Sequence, residues 1–230
     1  ALLAMSATTV DHASRGRLEI GLGIGGAPVD GTVVGAEDWP GSERVARLEE
    51  QVALLDRLLR GEVIDHHEGF YPSAGAVLTP ALQRPRPPIV IAGEGPRLID
   101  LAARRGDAWN TLGGQPMRGG GAPAVPLSEA IAGTARRVGL LEEACERIGR
   151  EPATIRRMLL AYRVSPDLFV SADAFSDYVG RYREAGVDEF VFYWPVDPGS
   201  FARVPAYERG LKRVASEVIP RLRAESSARR

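Results

Sequence analysis

Cysteine is almost missing from this 230-residue chain: Cys145 stands alone, beside three histidines and a single lysine, Lys212. One cysteine excludes an internal disulfide and any cysteine-built zinc cluster. His12, His66 and His67 do not assemble a metal site either. Two adjacent residues in an extended segment point to opposite faces, and no third ligand stands at a usable spacing. No Ser-His-Asp or Cys-His arrangement is legible, so no catalytic side chain is assigned. The absence of an apolar run near the ~20 residues of a bilayer span, and of a charged-then-apolar leader, argues against a membrane protein. Charge of one sign is also lacking: 29 basic residues face 30 acidic ones, for a net charge of −1. Nucleic acid and anionic membranes ordinarily demand a basic surplus, so neither is an expected partner. Cytoplasm is the expected compartment. A chain this poor in acid–base side chains favours chemistry carried by a bound cofactor.

What is present is an ordinary globular composition, 44% hydrophobic and 26% charged, long enough to bury a substantial core. Residues 17–25 read as a strand entering a glycine turn, and a Gly/Pro/Asp-rich loop follows to Gly41. Ser42 is placed to cap a helix through Arg60, with Val45, Leu48, Val52, Leu55 and Leu59 on one face. Residues 62–80 read as a hairpin, and the prolines at 85, 87 and 88 keep the chain extended. Ile89–Ala92 reads as a strand buried on both faces. A helix from Arg97 to Arg105 follows, then a strand over 107–111 and a mobile loop over 113–126. The rest reads as a helix from Ser128 to Gly149, interrupted at Gly139, a strand over 158–164, a helix over 172–185, a strand over 189–194 and a helix over 204–223. Strands alternating with helices predict an α/β protein with a parallel sheet covered by helices. Residues 1–224 form one domain and 225–230 a disordered tail.

Three segments carry candidate chemistry. Gly21-Leu22-Gly23-Ile24-Gly25 matches the first glycine turn of Rossmann-type methyltransferases, or glycines serving tight packing alone. The methyltransferase reading needs a following strand that ends in an acid, and a hairpin and a proline run stand there instead. Gly93-Glu94-Gly95-Pro96 follows a buried strand and opens a helix, so free amides and two glycines suit a phosphate. Arg97 adds charge and Glu94 should point away; an ordinary strand-to-helix turn is the plainer alternative. Trp109-Asn110-Thr111 lies at a strand's C-terminal end, where parallel α/β proteins bind ligands, although a Trp there serves a core equally well. Ile24, Trp109, Tyr162 and Trp194 would suit a largely apolar substrate.

Asp11-His12-Ala13-Ser14-Arg15-Gly16-Arg17, the following strand and Gly-x-Gly turn, Gly69-Phe70-Tyr71, Gln83-x-Pro85-x-Pro87-Pro88 and Gly106-Asp107-x-Trp109-Asn110 occur in one order over about 110 residues. In this the chain resembles the luciferase-like flavin-dependent oxidoreductases and monooxygenases. The resemblance implies a TIM (β/α)8 barrel, often homodimeric, that uses FMN or coenzyme F420 to oxidise or reduce a small organic substrate. It implies that Gly23, Ile24 and Gly25 approach the flavin, that Gly93, Glu94, Gly95 and Pro96 cradle its phosphate, and that Trp109, Asn110 and Thr111 line the rim. The hairpin would correspond to an insertion over the barrel mouth. Only strands four to eight of such a barrel are expected here, since about 90 residues would be needed for three further units. The chain thus reads as N-terminally truncated, and a non-catalytic flavin-binding or degenerate barrel fragment is the alternative from another class.

Overall fold

The computed structural model describes residues 1–25, 39–116, 123–161, 164–194 and 204–227. Tyr162 and most of the segment between Gly25 and Gly41 lie outside them. Helix α1 (Leu2–Ser14) leads to strand β1 (Ile20–Leu22), then α2 (Gly41–Leu59) and the hairpin strands β2 (Ile64–His66) and β3 (Ser73–Ala76). Strand β4 (Ile89–Ala92), α3 (Pro96–Arg105), β5 (Ala108–Thr111), α4 (Leu127–Arg147) and β6 (Arg156–Ala161) follow. The chain closes with α5 (Ala172–Glu184), β7 (Glu189–Phe192), α6 (Pro205–Arg213), a π-helical turn and α7 (Ile219–Ser227).

Five strands form one parallel sheet in the order β1-β4-β5-β6-β7, and β2 pairs with β3 antiparallel as a separate hairpin. β1 and β7 are the sheet's edges and do not pair with each other among the described residues, as the five-strand reading requires. Side chains alternate along each strand. Ile20, Ile89, Ile91, Trp109 and Leu159 therefore face the helices and build the core. Val90, Asn110, Arg156, Met158, Glu189 and Val191 fall on the opposite face by register. There Arg156 reaches both Glu19 and Glu189, at 2.9 Å each. Glu19 precedes one edge strand and Glu189 opens the other. β1 and β6 would stand about 14 Å apart in a flat sheet, so this bridge requires the sheet to curl around that face. The result is a section of a (β/α)8 barrel with helices outside.

The starts of α2 and α4 differ from expectation for one reason. α2 and α4 start on Pro40 and Pro126 rather than on Ser42 and Ser128. Each proline sits extended, and its carbonyl accepts a first-turn amide, Glu43 or Ala130, while its missing N–H costs nothing there. Gly139 does not interrupt α4. Strand β6 begins two residues early, at Arg156, and α7 runs to Ser227, with Arg221 and Glu225 3.9 Å apart along it.

The motif residues tie the elements together. Asp11, fully buried, accepts the Gln83 amide (2.9 Å) and its side-chain NH₂ (2.8 Å), which also donates to the Leu18 carbonyl. Burial opposes ionisation of Asp11, but those donors outweigh it and hold the carboxyl below its ordinary range. Glu50 on α2 does the same for the hairpin, accepting the Phe70 and Tyr71 amides and pairing with His66.

Candidate functional site

The C-terminal ends of β1, β4 and β5 lie side by side, and each runs into glycine. Gly23 comes so close to β4 that a Cβ would stand 3.4 Å from the Ala92 carbonyl oxygen. Gly25 has a positive φ of 73°, and its carbonyl accepts a bond from Arg44. Ile24, half-buried, packs its side chain against the core.

Beyond β4, Gly93 is compulsory: a Cβ would fall 2.2 Å from Leu98 Cδ1. Its amide donates to the Asn110 carbonyl, and its own carbonyl accepts the Trp109 indole N–H at 2.7 Å. Gly95 is the N-cap of α3, Pro96 its first residue, and Gly95 accepts the Leu98 and Ile99 amides. The amides of Glu94, Gly95 and Arg97 donate to no acceptor among the described residues. Gly95 and Pro96 are exposed, and the position of a Gly95 Cβ opens on empty space. Unused amides at a helix N-terminus, with the positive end of the helix dipole behind them, are a shelf for an anion.

Glu94 is turned toward the loop after β5. Its carboxylate accepts Thr111 Oγ1 (2.5 Å), the Leu112 amide (3.0 Å) and the Gly114 amide (3.3 Å), and pairs with Arg137 at 3.2 Å. Gly113 and Gly114 adopt positive φ, and a Cβ on Gly114 would strike the Ala130 backbone. Tyr182 donates to the Gly113 carbonyl at 2.8 Å. Burial pushes its phenol up to about 12, so it remains a donor at neutral pH. Residues 113–116, expected to be mobile, are therefore fixed from three sides; 117–122 lie outside the described residues.

The rim expectation separates by face. Trp109 and Thr111 are 0% and 1% exposed and act from behind, one on Gly93 and the other on Glu94. Trp109 is thus engaged through its indole N–H behind the Gly93 turn, with its ring in the core. Asn110, between them, is half-buried on the opposite face. Trp194, 48% exposed, follows edge strand β7 and not the central strands. Arg97 is drawn to Glu49 (2.6 Å) and so contributes less free charge to the shelf than expected. The hairpin packs on α2 through Glu50, and its Phe70 and Trp39 sandwich the Arg47 guanidinium at 4.4 and 3.7 Å. Sequence reasoning missed Arg137 and Tyr182, which lie far along the chain from the turns they brace and carry no local signal. No group of metal-ligating side chains is found among the described residues, and no helix there is long and apolar enough to cross a membrane.

A family model described as luciferase-like monooxygenase matches residues 1–168. An F420-dependent glucose-6-phosphate dehydrogenase 1 from Rhodococcus jostii (strain RHA1) is 28% identical over 172 residues, covering 73% of this chain and 47% of the relative. A second F420-dependent glucose-6-phosphate dehydrogenase, from Kribbella flavida, is 32% identical over 120 residues, 51% of this chain and 35% of its own length. The chain thus spans half or less of the length of these curated relatives. Among solved structures, an F420-dependent secondary alcohol dehydrogenase in complex with an F420-acetone adduct superposes with a TM-score of 0.71 at 18% identity. It covers 95% of this chain and 74% of that one, a likeness of fold.

Proposed function

Since the chain belongs to the luciferase-like monooxygenase family, we propose that it is a flavin-type oxidoreductase that binds FMN or coenzyme F420 at the C-terminal ends of β1, β4 and β5. The observation that carries this reading is the set of unused amides at Glu94, Gly95 and Arg97, with open space in front of Gly95. The donor set fits a phosphate: N–H groups and a helix dipole, no side chain in the way, and the nearest carboxylate tied off by Thr111 and Arg137. The phosphate of the cofactor would rest on Gly93, Glu94, Gly95 and Pro96. Gly23 and Gly25 would let the ring approach the end of β1, and Asn110 would face it.

When bound, such a ring supplies hydride exchange with an organic substrate or, in reduced form, activation of O₂. The residues of this chain bind and orient. Trp109 holds the Gly93 carbonyl, Glu94 links the shelf to the loop after β5, and Tyr182 keeps that loop from shifting. Position rather than proton transfer is what these groups contribute. A small organic substrate, a cytoplasmic location and a homodimer belong to the same reading. Membership sets the methyltransferase alternative aside.

A second reading, cofactor binding without turnover, draws on the sheet's curled face, where Gly21 is open and Val191 is 42% exposed. Titrating the chain with FMN and with coenzyme F420, followed by ring fluorescence, tests the first step. Saturable uptake of either supports binding, and no uptake of both overturns it. Oxidoreductase turnover by the loaded chain then separates the two readings.

A further inference from the structure

At the opposite end of the sheet, a cavity of about 280 Å³ opens beneath the N-terminal ends of β4 and β5, where α2 and α3 finish. Its centre is Arg86, whose side chain is only 6% exposed and fully engaged. It donates to Asp56, Asp107, the Pro87 carbonyl and the Arg105 carbonyl. Arg60, Arg105 and Arg150 stand around it in a different condition. Arg60 is held by Nε on Asp56 at 3.1 Å, which leaves both terminal nitrogens without a protein acceptor among the described residues. Arg105 touches Asp56 only at 3.8 Å. Arg150 is fixed by Nε on Thr154 and Nη1 on the Ala103 carbonyl, and its Nη2 is left over. Arg104, also on the wall, is balanced by Asp100 and Glu49.

Four guanidiniums therefore share two carboxylates, Asp56 and Asp107, an excess of two positive charges. The C-terminal ends of α2 and α3 point here and offset about half a charge each at most. A net positive cavity remains, in which Arg60 and Arg150 are each tethered at one edge of the guanidinium and free at the other. Tethering lowers the entropy lost when a planar guanidinium engages an oxoanion. An adjoining cavity of about 400 Å³ shares Arg60, Arg86 and Asp107 and adds Pro85, Pro88 and Gln83.

We propose that this end of the molecule binds a small phosphate monoester, its dianion among Arg60, Arg105 and Arg150 and its organic part in the adjoining cavity. The site is separate from the cofactor shelf, on the other side of the same strands, and does not depend on it.

The test uses inorganic phosphate as probe, read by thermal unfolding of the full chain in HEPES against sodium chloride at equal ionic strength. Phosphate should raise the midpoint saturably. Arg60→Gln with Arg150→Gln should raise the half-saturating concentration about a hundredfold, roughly tenfold for each charged partner lost. Arg105→Gln, read alone, should raise it about tenfold. Gly95→Asp, which blocks the cofactor shelf at the far end, should leave a saturable phosphate response that the arginine substitutions still shift. Three results would each overturn the proposal. They are a phosphate response no larger than that to chloride, arginine variants that respond like the parent chain, or a response abolished by Gly95→Asp.

Discussion

At the N-terminal ends of β4 and β5, Arg86 spends its donors on two carboxylates and two carbonyls, and Asp107 also takes the Ile89 amide. At the C-terminal ends of the same strands the chain turns through Gly93 and Gly95, and three successive amide positions apart from proline go unused. One end joins elements by side-chain bonds across long sequence separations. The other leaves backbone donors facing outward and rests its order on groups behind them: Trp109, Thr111, Arg137 and Tyr182. The contrast teaches where stability and binding are divided in this fold. Barrel strands commonly carry their chemistry on the C-terminal side and their anchoring on the other.

That division predicts a ranking of mutational effects. Arg86→Ala should cost most, about 3–5 kcal/mol in chemical denaturation, because it strips a buried partner from Asp56 and Asp107. A loss below about 1 kcal/mol would mean that this end does not anchor the sheet. Gly93→Ala should come next, near 1–3 kcal/mol, since its methyl group collides with Leu98 and strain must spread into β4 or α3. Glu50→Gln should cost about 1–2 kcal/mol by weakening the bonds to the Phe70 and Tyr71 amides.

Glu50 also sets a pH dependence. Burial opposes its ionisation, but the two amides and His66 prevail and hold its carboxyl below the ordinary 4.5. A carboxyl depressed in the folded state contributes stability that is complete above its unfolded value and vanishes as pH falls through the folded one. The midpoint should therefore drop as pH goes below about 4.5, and Glu50→Gln should flatten part of that fall. A parallel decline in both proteins would remove Glu50 from the account. Gly95→Asp should cost least, within about 0.5 kcal/mol, because Gly95 has an ordinary extended conformation and open space where the side chain would go.

Much of the C-terminal end of the strands was legible in the residues. Ile89-Val90-Ile91-Ala92 followed by two glycines and a proline describes a buried strand, a close turn and a helix start with little ambiguity. The faces of β5 were harder, because an aromatic, an amide and a hydroxyl in a row do not say which of them looks outward. Alternation put Asn110 on one side and Trp109 and Thr111 on the other only once the register to β4 and β6 was known. The arginine network was not legible at all. Asp56, Arg86, Asp107 and Arg150 are unremarkable surface types in sequence, and only the parallel pairing of β4 and β5 brings them together. The sequence places two helix starts at Ser42 and Ser128, whereas a proline two residues earlier is the N-cap of each helix. Proline serves equally well where the chain enters the helix extended.

The central claim is that a phosphate rests on the amides ahead of α3, and FMN and riboflavin differ by that phosphate alone. Ring-fluorescence titrations of both, on the parent chain and on Gly95→Asp, test it most directly. FMN should bind the parent at least about tenfold more tightly than riboflavin, and Gly95→Asp should erase that preference while leaving riboflavin nearly unchanged. Equal affinities for the two on the parent chain, or a preference that survives Gly95→Asp, would contradict it.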